Sequence, residues 1–224
     1  MGIVYLAHEV LLNRDVAIKV LRPELATAQG ADAFLREAQT LASISHPNVV
    51  VIYRTGEGDG LQFYIMEFVR GPTLQTRLES GALPWNDVVR VGSDLLKGLE
   101  QMHRLGFVHR DIKPSNVFLF SDRALLGDFG IARPPSSQDD PHSGDGTPDY
   151  MAPEQVKRQQ NTPRTDIYSL GVTLYEAVTG RKFHEQGDSI TWGGIRADLA
   201  RVLQRAVAPE PAQRWPDEIG RAHV

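Results

Sequence analysis

The sequence predicts an α+β fold in two lobes, a small β-rich one followed by a larger and mostly helical one. Two observations carry this. Through residue 67 the apolar residues alternate or cluster in short β-branched runs, and from residue 74 they recur at three- and four-residue spacing. Between them EFVRGPT (67–73) reads as a short connector. The chain therefore divides into 1–67, a hinge at 68–73, and 74–224.

At 224 residues the chain is long enough for one sizeable core or two lobes around a cleft. A formal net charge of −4 gives no global reason to expect nucleic acid as partner. No cysteine is present, which removes disulfides and thiol chemistry and suits a reducing compartment. No apolar run approaches the roughly 18 residues of a membrane span, and the start does not read as an export signal. A cytoplasmic protein without a membrane segment is expected.

Residues 3–8 and 15–20 are β-rich runs that suit an antiparallel pair. Alternation over 16–20 puts Ala17 and Lys19 on one face and Val16, Ile18 and Val20 on the other. A buried lysine there must meet a carboxylate or phosphate; the alternative is a lysine snorkelling from an edge strand. Residues 31–44 are helical in pattern, with Phe34, Leu35, Ala38, Leu41 and Ala42 in register and Glu37 beside that stripe. Further strands are expected at 49–53 and 61–66, separated by a Gly/Asp turn over 56–60.

Beyond the connector, helices are expected at 74–78, 85–105, 166–179 and 199–208. The segment from His109 to Gly130, HRDIKPSNVFLFSDRALLGDFG, stands apart. Short strands at 117–120 and 124–126 leave Asp111, Lys113 and Asn116 in the loop before a hairpin and Asp128 just after it. Residues 133–148 are rich in Pro, Gly, Ser and Asp and read as a surface loop.

Lys19, Glu37, Asp111, Asn116 and Asp128 call for a joint explanation. Phosphoryl transfer needs a cation on the nucleotide phosphates, oxygen ligands for magnesium, and a base that positions the acceptor. The set supplies each, and lacks the cysteine or multi-histidine cluster of a zinc site.

The chain resembles the eukaryotic-type protein kinase family, in particular its bacterial serine/threonine members. GIVYLA, VAIKV, the helix with Glu37, HPNVV, MEFVRG, HRDIKPSN, DFG, GTPDYMAPEQ, DIYSLGVTLYEAVTG and Arg214 occur in the family's order. The resemblance implies a bilobal kinase-like fold that binds ATP and Mg2+. It implies that Lys19 contacts the α/β phosphates and pairs with Glu37, that Asp111 is the base, and that Lys113 steadies the transferring phosphate. Asn116 and Asp128 would hold the metal. The backbone of Glu67 and Phe68 would meet the adenine, with Met66 behind it, Val4 and Ala17 over one face and Phe118 over the other. Leu41, Ile52, His109 and Phe129 would stack as an apolar column, and all four also suit a core.

Lys113 and Thr147 resemble those of serine/threonine kinases, so protein substrates bearing Ser or Thr are implied, this protein among them. Residues 151–154 would form the peptide-docking platform, with Glu154 paired to Arg214. Arg110 resembles the arginine that receives an activation-loop phosphate. No threonine stands where such a phosphate often lies; Asp139 or Asp140 is expected to replace it, with Ser143 nearby, or that loop is simply solvated. Two departures matter. Only the tail of the glycine-rich loop, Met1-Gly2-Ile3-Val4, is present, from a real deletion or a mis-called start, and the second lobe is short after Gly180 and beyond Arg214. Weakened ATP binding is expected, and the alternative is an inactive or weakly active nucleotide-binding or scaffolding relative, or a gene fragment.

Overall fold

The computed structural model describes residues 3–21, 34, 38–39, 42–58, 60–127 and 148–216. The chain forms two compact units, Met1–Arg70 and Gly71–Val224, the first β-rich and the second mostly helical. The α+β class expected from the sequence is the class found.

The first unit is an antiparallel sheet of β1 (Ile3–Glu9), β2 (Arg14–Val20), β3 (Ile52–Gly58) and β4 (Leu61–Glu67), in the order β1-β2-β4-β3. Val16, Ala17, Tyr64 and Ile65 from the two central strands are buried. Phe34, in helical conformation, stacks on Tyr64 with ring centroids 5.1 Å apart. Of the helix expected at 31–44, Phe34, Ala38, Gln39 and Ala42 are helical, and most of the remainder lies outside the described residues.

Two expectations here are corrected. The strand placed at 49–53 begins only at Ile52: Val49 and Val50 are buried, but as packing residues short of the strand. That strand then runs to Gly58, through residues expected to turn, and Gly60 (φ 74°) lies at the reversal. Gly56 and Gly58 pair with Phe63 and Leu61 as ladder residues. Glycine marks a close approach inside a strand as readily as a turn.

The second unit contains α1 (Leu74–Leu78), α2 (Trp85–Arg104), the hairpin β5 (Val117–Phe120) and β6 (Arg123–Leu126), α3 (Pro153–Val156), α4 (Pro163–Thr179) and α5 (Ala197–Ala206). Thr73 caps α1 by accepting from the Thr76 N–H. In α2 one stripe, Val88, Val91, Leu95, Leu99 and Met102, is fully buried; each such side chain stabilises by about 1.5–3 kcal/mol. The outer side of that helix holds the hairpin. Arg90 donates to the Asp122 carbonyl (2.6 Å), and Asp94 accepts from the Ala124 N–H (3.1 Å).

Gly71 has no substitute at its position. A Cβ there would lie 1.9 Å from the Leu119 carbonyl oxygen, where Pro72 accepts from the Leu119 N–H (2.9 Å).

Helix α4 starts three residues before the expected position, because Thr162 and Pro163 supply a cap and an N1 proline: Thr165 Oγ1 accepts from the Thr162 N–H at 3.0 Å. It is buried around nearly its whole circumference. Gly180, at φ 69°, ends it. The following segment is tied down by aromatic edges: Tyr175 meets Phe183 and Trp192, each at 5.2 Å between centroids. Helix α5 begins two residues earlier than expected.

Candidate active site

The loop between α2 and β5 is anchored by apolar residues and presents polar ones. Val108, Ile112 and Pro114 are buried, which fixes its two ends. Asp111, only 5% exposed, lies between Lys113 and Asn116. Lys113 Nζ is 2.8 Å from Asp111 Oδ2, and Asn116 Nδ2 donates to the same oxygen at 3.0 Å and to the Asp111 carbonyl at 2.8 Å. A carboxylate this buried is tolerated only when paired and hydrogen-bonded. The turn Pro114–Asn116 supplies the geometry, closed by the Asn116 N–H to the Lys113 carbonyl at 3.0 Å.

Arg110, just before Asp111, has left-handed backbone at φ 69°, which costs a side-chain-bearing residue about 1–2 kcal/mol. Side chains from distant sequence hold it there. Asp166, in the first turn of α4 and fully buried, accepts from the His109 N–H (2.9 Å) and the Arg110 N–H (2.8 Å). His103 Nε2 is 2.8 Å from Asp166 Oδ2. Gln155 Nε2 donates to the Arg110 carbonyl at 2.9 Å. Within the loop, His109 Nδ1 accepts from the Asp111 N–H (3.2 Å). Sequence reasoning singled out Arg110 and missed Asp166, His103 and Gln155. Asp166 was visible as the first residue of an expected helix and of DIYSLGVTLYEAVTG, with no role assigned to it.

A second polar centre lies at α3. Glu154 and Arg214 are both buried and meet two-on-two, Nη1 to Oε1 at 2.6 Å and Nη2 to Oε2 at 2.8 Å. Arg214 also donates to the carbonyls of Ala208, Arg164 and Pro209, and Thr165 Oγ1 donates to Glu154 Oε1 at 3.0 Å. Burial pushes the Glu154 carboxyl up, but the hydrogen bonds and charge of Arg214 outweigh it and hold it below its usual value. Tyr168, 4.8 Å beneath the guanidinium, is raised by burial against the lowering effect of Arg214. Nearby, Tyr150 donates to Glu176 at 2.6 Å; burial and that carboxylate raise the phenol.

In the first unit, Lys19 is 3% exposed, with Nζ 5.5 Å from the Tyr64 ring centroid. Ala17 shares its face and is also buried, so the lysine does not snorkel from an edge. Register places Val4 opposite Lys19 and Met66 opposite Ala17. The Glu67 N–H is donated to the Val51 carbonyl (2.8 Å). The Glu67 N–H is thus already engaged within its own unit. Phe68 is half-buried in the same unit; Phe118, in the second, lies on β5 beside the Thr73 bridge. Glu37, Asp128, Asp139, Asp140, Ser143 and Thr147, with Leu41 and Phe129, lie outside the described residues.

Asn116 fits a hard divalent cation by its chemistry. Its amide nitrogen is turned onto Asp111, and its amide oxygen, the ligand atom such an ion takes, accepts from Ser115 Oγ at 3.4 Å.

Asp111 thus sits in a clamped loop with Lys113 and Asn116 on its carboxylate. The family model for the protein kinase domain matches residues 1–220, and the chain belongs to that family. It is 35% identical over 241 residues to the serine/threonine-protein kinase PknB of Mycobacterium leprae, covering 96% of this chain and 39% of that protein. To the serine/threonine-protein kinase PrkC of Bacillus subtilis it is 38% identical over 221 residues, covering 96% and 33%. To the probable serine/threonine-protein kinase pknA2 of Bifidobacterium longum it is 38% identical over 200 residues, covering 85% and 26%. The chain thus spans well under half the length of these relatives.

Proposed function

We propose that this chain transfers the γ-phosphoryl group of ATP, with Mg2+, to serine or threonine hydroxyls of protein substrates, itself included. The observation that carries this reading is Asp111, buried and fixed through Oδ2 by Lys113 and Asn116. Family membership and the named activities of the relatives support it.

In this reading Asp111 orients the acceptor hydroxyl and takes its proton as the oxygen attacks the γ-phosphorus and ADP departs. Lys113 offsets charge on the transferring group. Lys19, held by Glu37, steadies the α/β phosphates. Asn116 and Asp128 hold Mg2+, which when bound neutralises charge on the phosphate oxygens. Val4, Ala17, Met66, the Glu67 carbonyl, Phe68 and Phe118 hold the adenine. Glu154 and Arg214 fix the platform on which the peptide docks, beside Thr147. Arg110 with Asp139, Asp140 or Ser143 supplies control. Among the described residues no helix is long and apolar enough to cross a membrane.

Purified protein incubated with labelled ATP-Mg and a generic protein acceptor tests the reading, followed by phospho-amino-acid analysis. Label on serine or threonine is expected. Nucleotide binding without transfer would instead support the inactive nucleotide-binding relative.

A further inference from the structure

The Gln155 side chain bridges two elements that carry different jobs. It is the third residue of α3, the turn that also holds Glu154. Gln155 Oε1 accepts from the Ala152 N–H at 3.0 Å and so caps that turn. The other end, Nε2, leaves the turn and donates to the Arg110 carbonyl at 2.9 Å, 45 residues away in sequence. A cap needs only the acceptor. The donor contact has no part in capping.

What it grips is the left-handed residue immediately before Asp111. Arg110 at φ 69° is gripped on both sides, with its N–H on Asp166 and its C=O on Gln155. That carbonyl belongs to the peptide whose nitrogen is Asp111's, and the Asp111 N–H rests on His109 Nδ1. Rotation of this peptide would swing the Asp111 backbone and move Oδ2 relative to Lys113 and Asn116. A strained conformation persists only when its surroundings over-determine it.

We propose that Gln155 is a positioning residue for Asp111, joining the peptide-docking turn to the base so that the two are held in one register. This rests on the reading of Asp111 as the base. Its consequence is that a substrate docked on α3 meets a carboxylate already placed for its hydroxyl.

Gln155→Glu separates the two ends, because the carboxylate can still accept from Ala152 but presents an acceptor to the Arg110 carbonyl. Gln155→Met removes both. With Gln155→Glu, the carboxylate set against the Arg110 carbonyl should lower thermal stability, and exchange at the Arg110 and Asp111 amides should speed up by about ten-fold. The turnover number with a protein acceptor should fall about ten- to a hundred-fold while KM for ATP stays within about two-fold. Gln155→Met should also lower thermal stability. Wild-type exchange at those two amides in Gln155→Glu, or unchanged turnover, would overturn the proposal, as would a defect confined to Gln155→Met. Exchange needs no catalysis, so a wild-type protein that transfers no phosphate overturns the kinase reading, while the exchange comparison still decides whether Gln155 holds the peptide.

Discussion

Of the four side-chain-bearing residues with left-handed backbone among the described residues, Asn13, Arg110, Ser121 and Arg158, the first two manage it by opposite means. Asn13 (φ 47°) closes the turn between β1 and β2, and its N–H bonds to Val10, three residues back. Around it Val10, Leu11 and Leu12 are 81%, 96% and 61% exposed. Arg110 (φ 69°) is buried, and its peptide is held from Asp166 and Gln155, 56 and 45 residues away. Asparagine adopts such backbone at little cost because its short side chain suits it. Arginine has no such side chain: the exposed Arg158 (φ 55°) rests on a local bond from its N–H to the Gln155 carbonyl, whereas the buried Arg110 takes distant partners. The difference separates a turn that only reverses the chain from one whose exact backbone places a carboxylate.

This contrast can be broken, most severely at Arg214. Arg214→Ala leaves Glu154 buried without its cation and should lower the unfolding free energy by about 3–5 kcal/mol, measured by urea denaturation of the whole chain. A loss below about 1 kcal/mol would mean that the pair is dispensable. Next comes Asp166→Asn, which turns an acceptor oxygen into a donor facing a buried N–H. It should cost about 2–3 kcal/mol and speed exchange at the His109 and Arg110 amides; slow exchange there would show that the loop keeps its shape unaided.

A pH titration sharpens the same point. The folded-state carboxyl of Glu154 lies below its ordinary value, so its stabilising contribution is complete above that ordinary value. The contribution is lost as pH falls through the depressed one. Urea stability should therefore decline on acidification below the usual carboxylate range, and less so in Glu154→Gln; a wild-type profile no steeper than the variant's would contradict this. The smallest effect belongs to the local turn. Asn13→Ala should cost only about 1 kcal/mol and leave phosphate transfer unchanged.

The same distinction governs what could be read from the sequence. The stripe of α2 was legible because an amphipathic helix writes its packing as a period, and the 117–126 hairpin because its turn is local. Asp111, Lys113 and Asn116 were legible as a set by their spacing. The clamp was not: Asp166 stood only as the first residue of an expected helix and of DIYSLGVTLYEAVTG, yet it is fully buried under the loop. Gln155 stood only as the last residue of GTPDYMAPEQ, with no role assigned. Both lie in stretches that carry the family resemblance, but neither role was legible, since each acts through a backbone group far along the chain. The start of β3 was misplaced for a related reason. Val49 and Val50 are apolar because they are buried, and burial alone does not make a strand.

The most direct test of the account is the rate of phosphate transfer from ATP-Mg to a protein acceptor by wild type and by Asp111→Asn, at saturating nucleotide. Asparagine keeps the size and the hydrogen-bonding oxygen but cannot take the proton. Wild type is expected to exceed the variant by at least about a hundred-fold, with nucleotide binding equal in both. Equal rates would contradict the claim that this clamped carboxylate is the base.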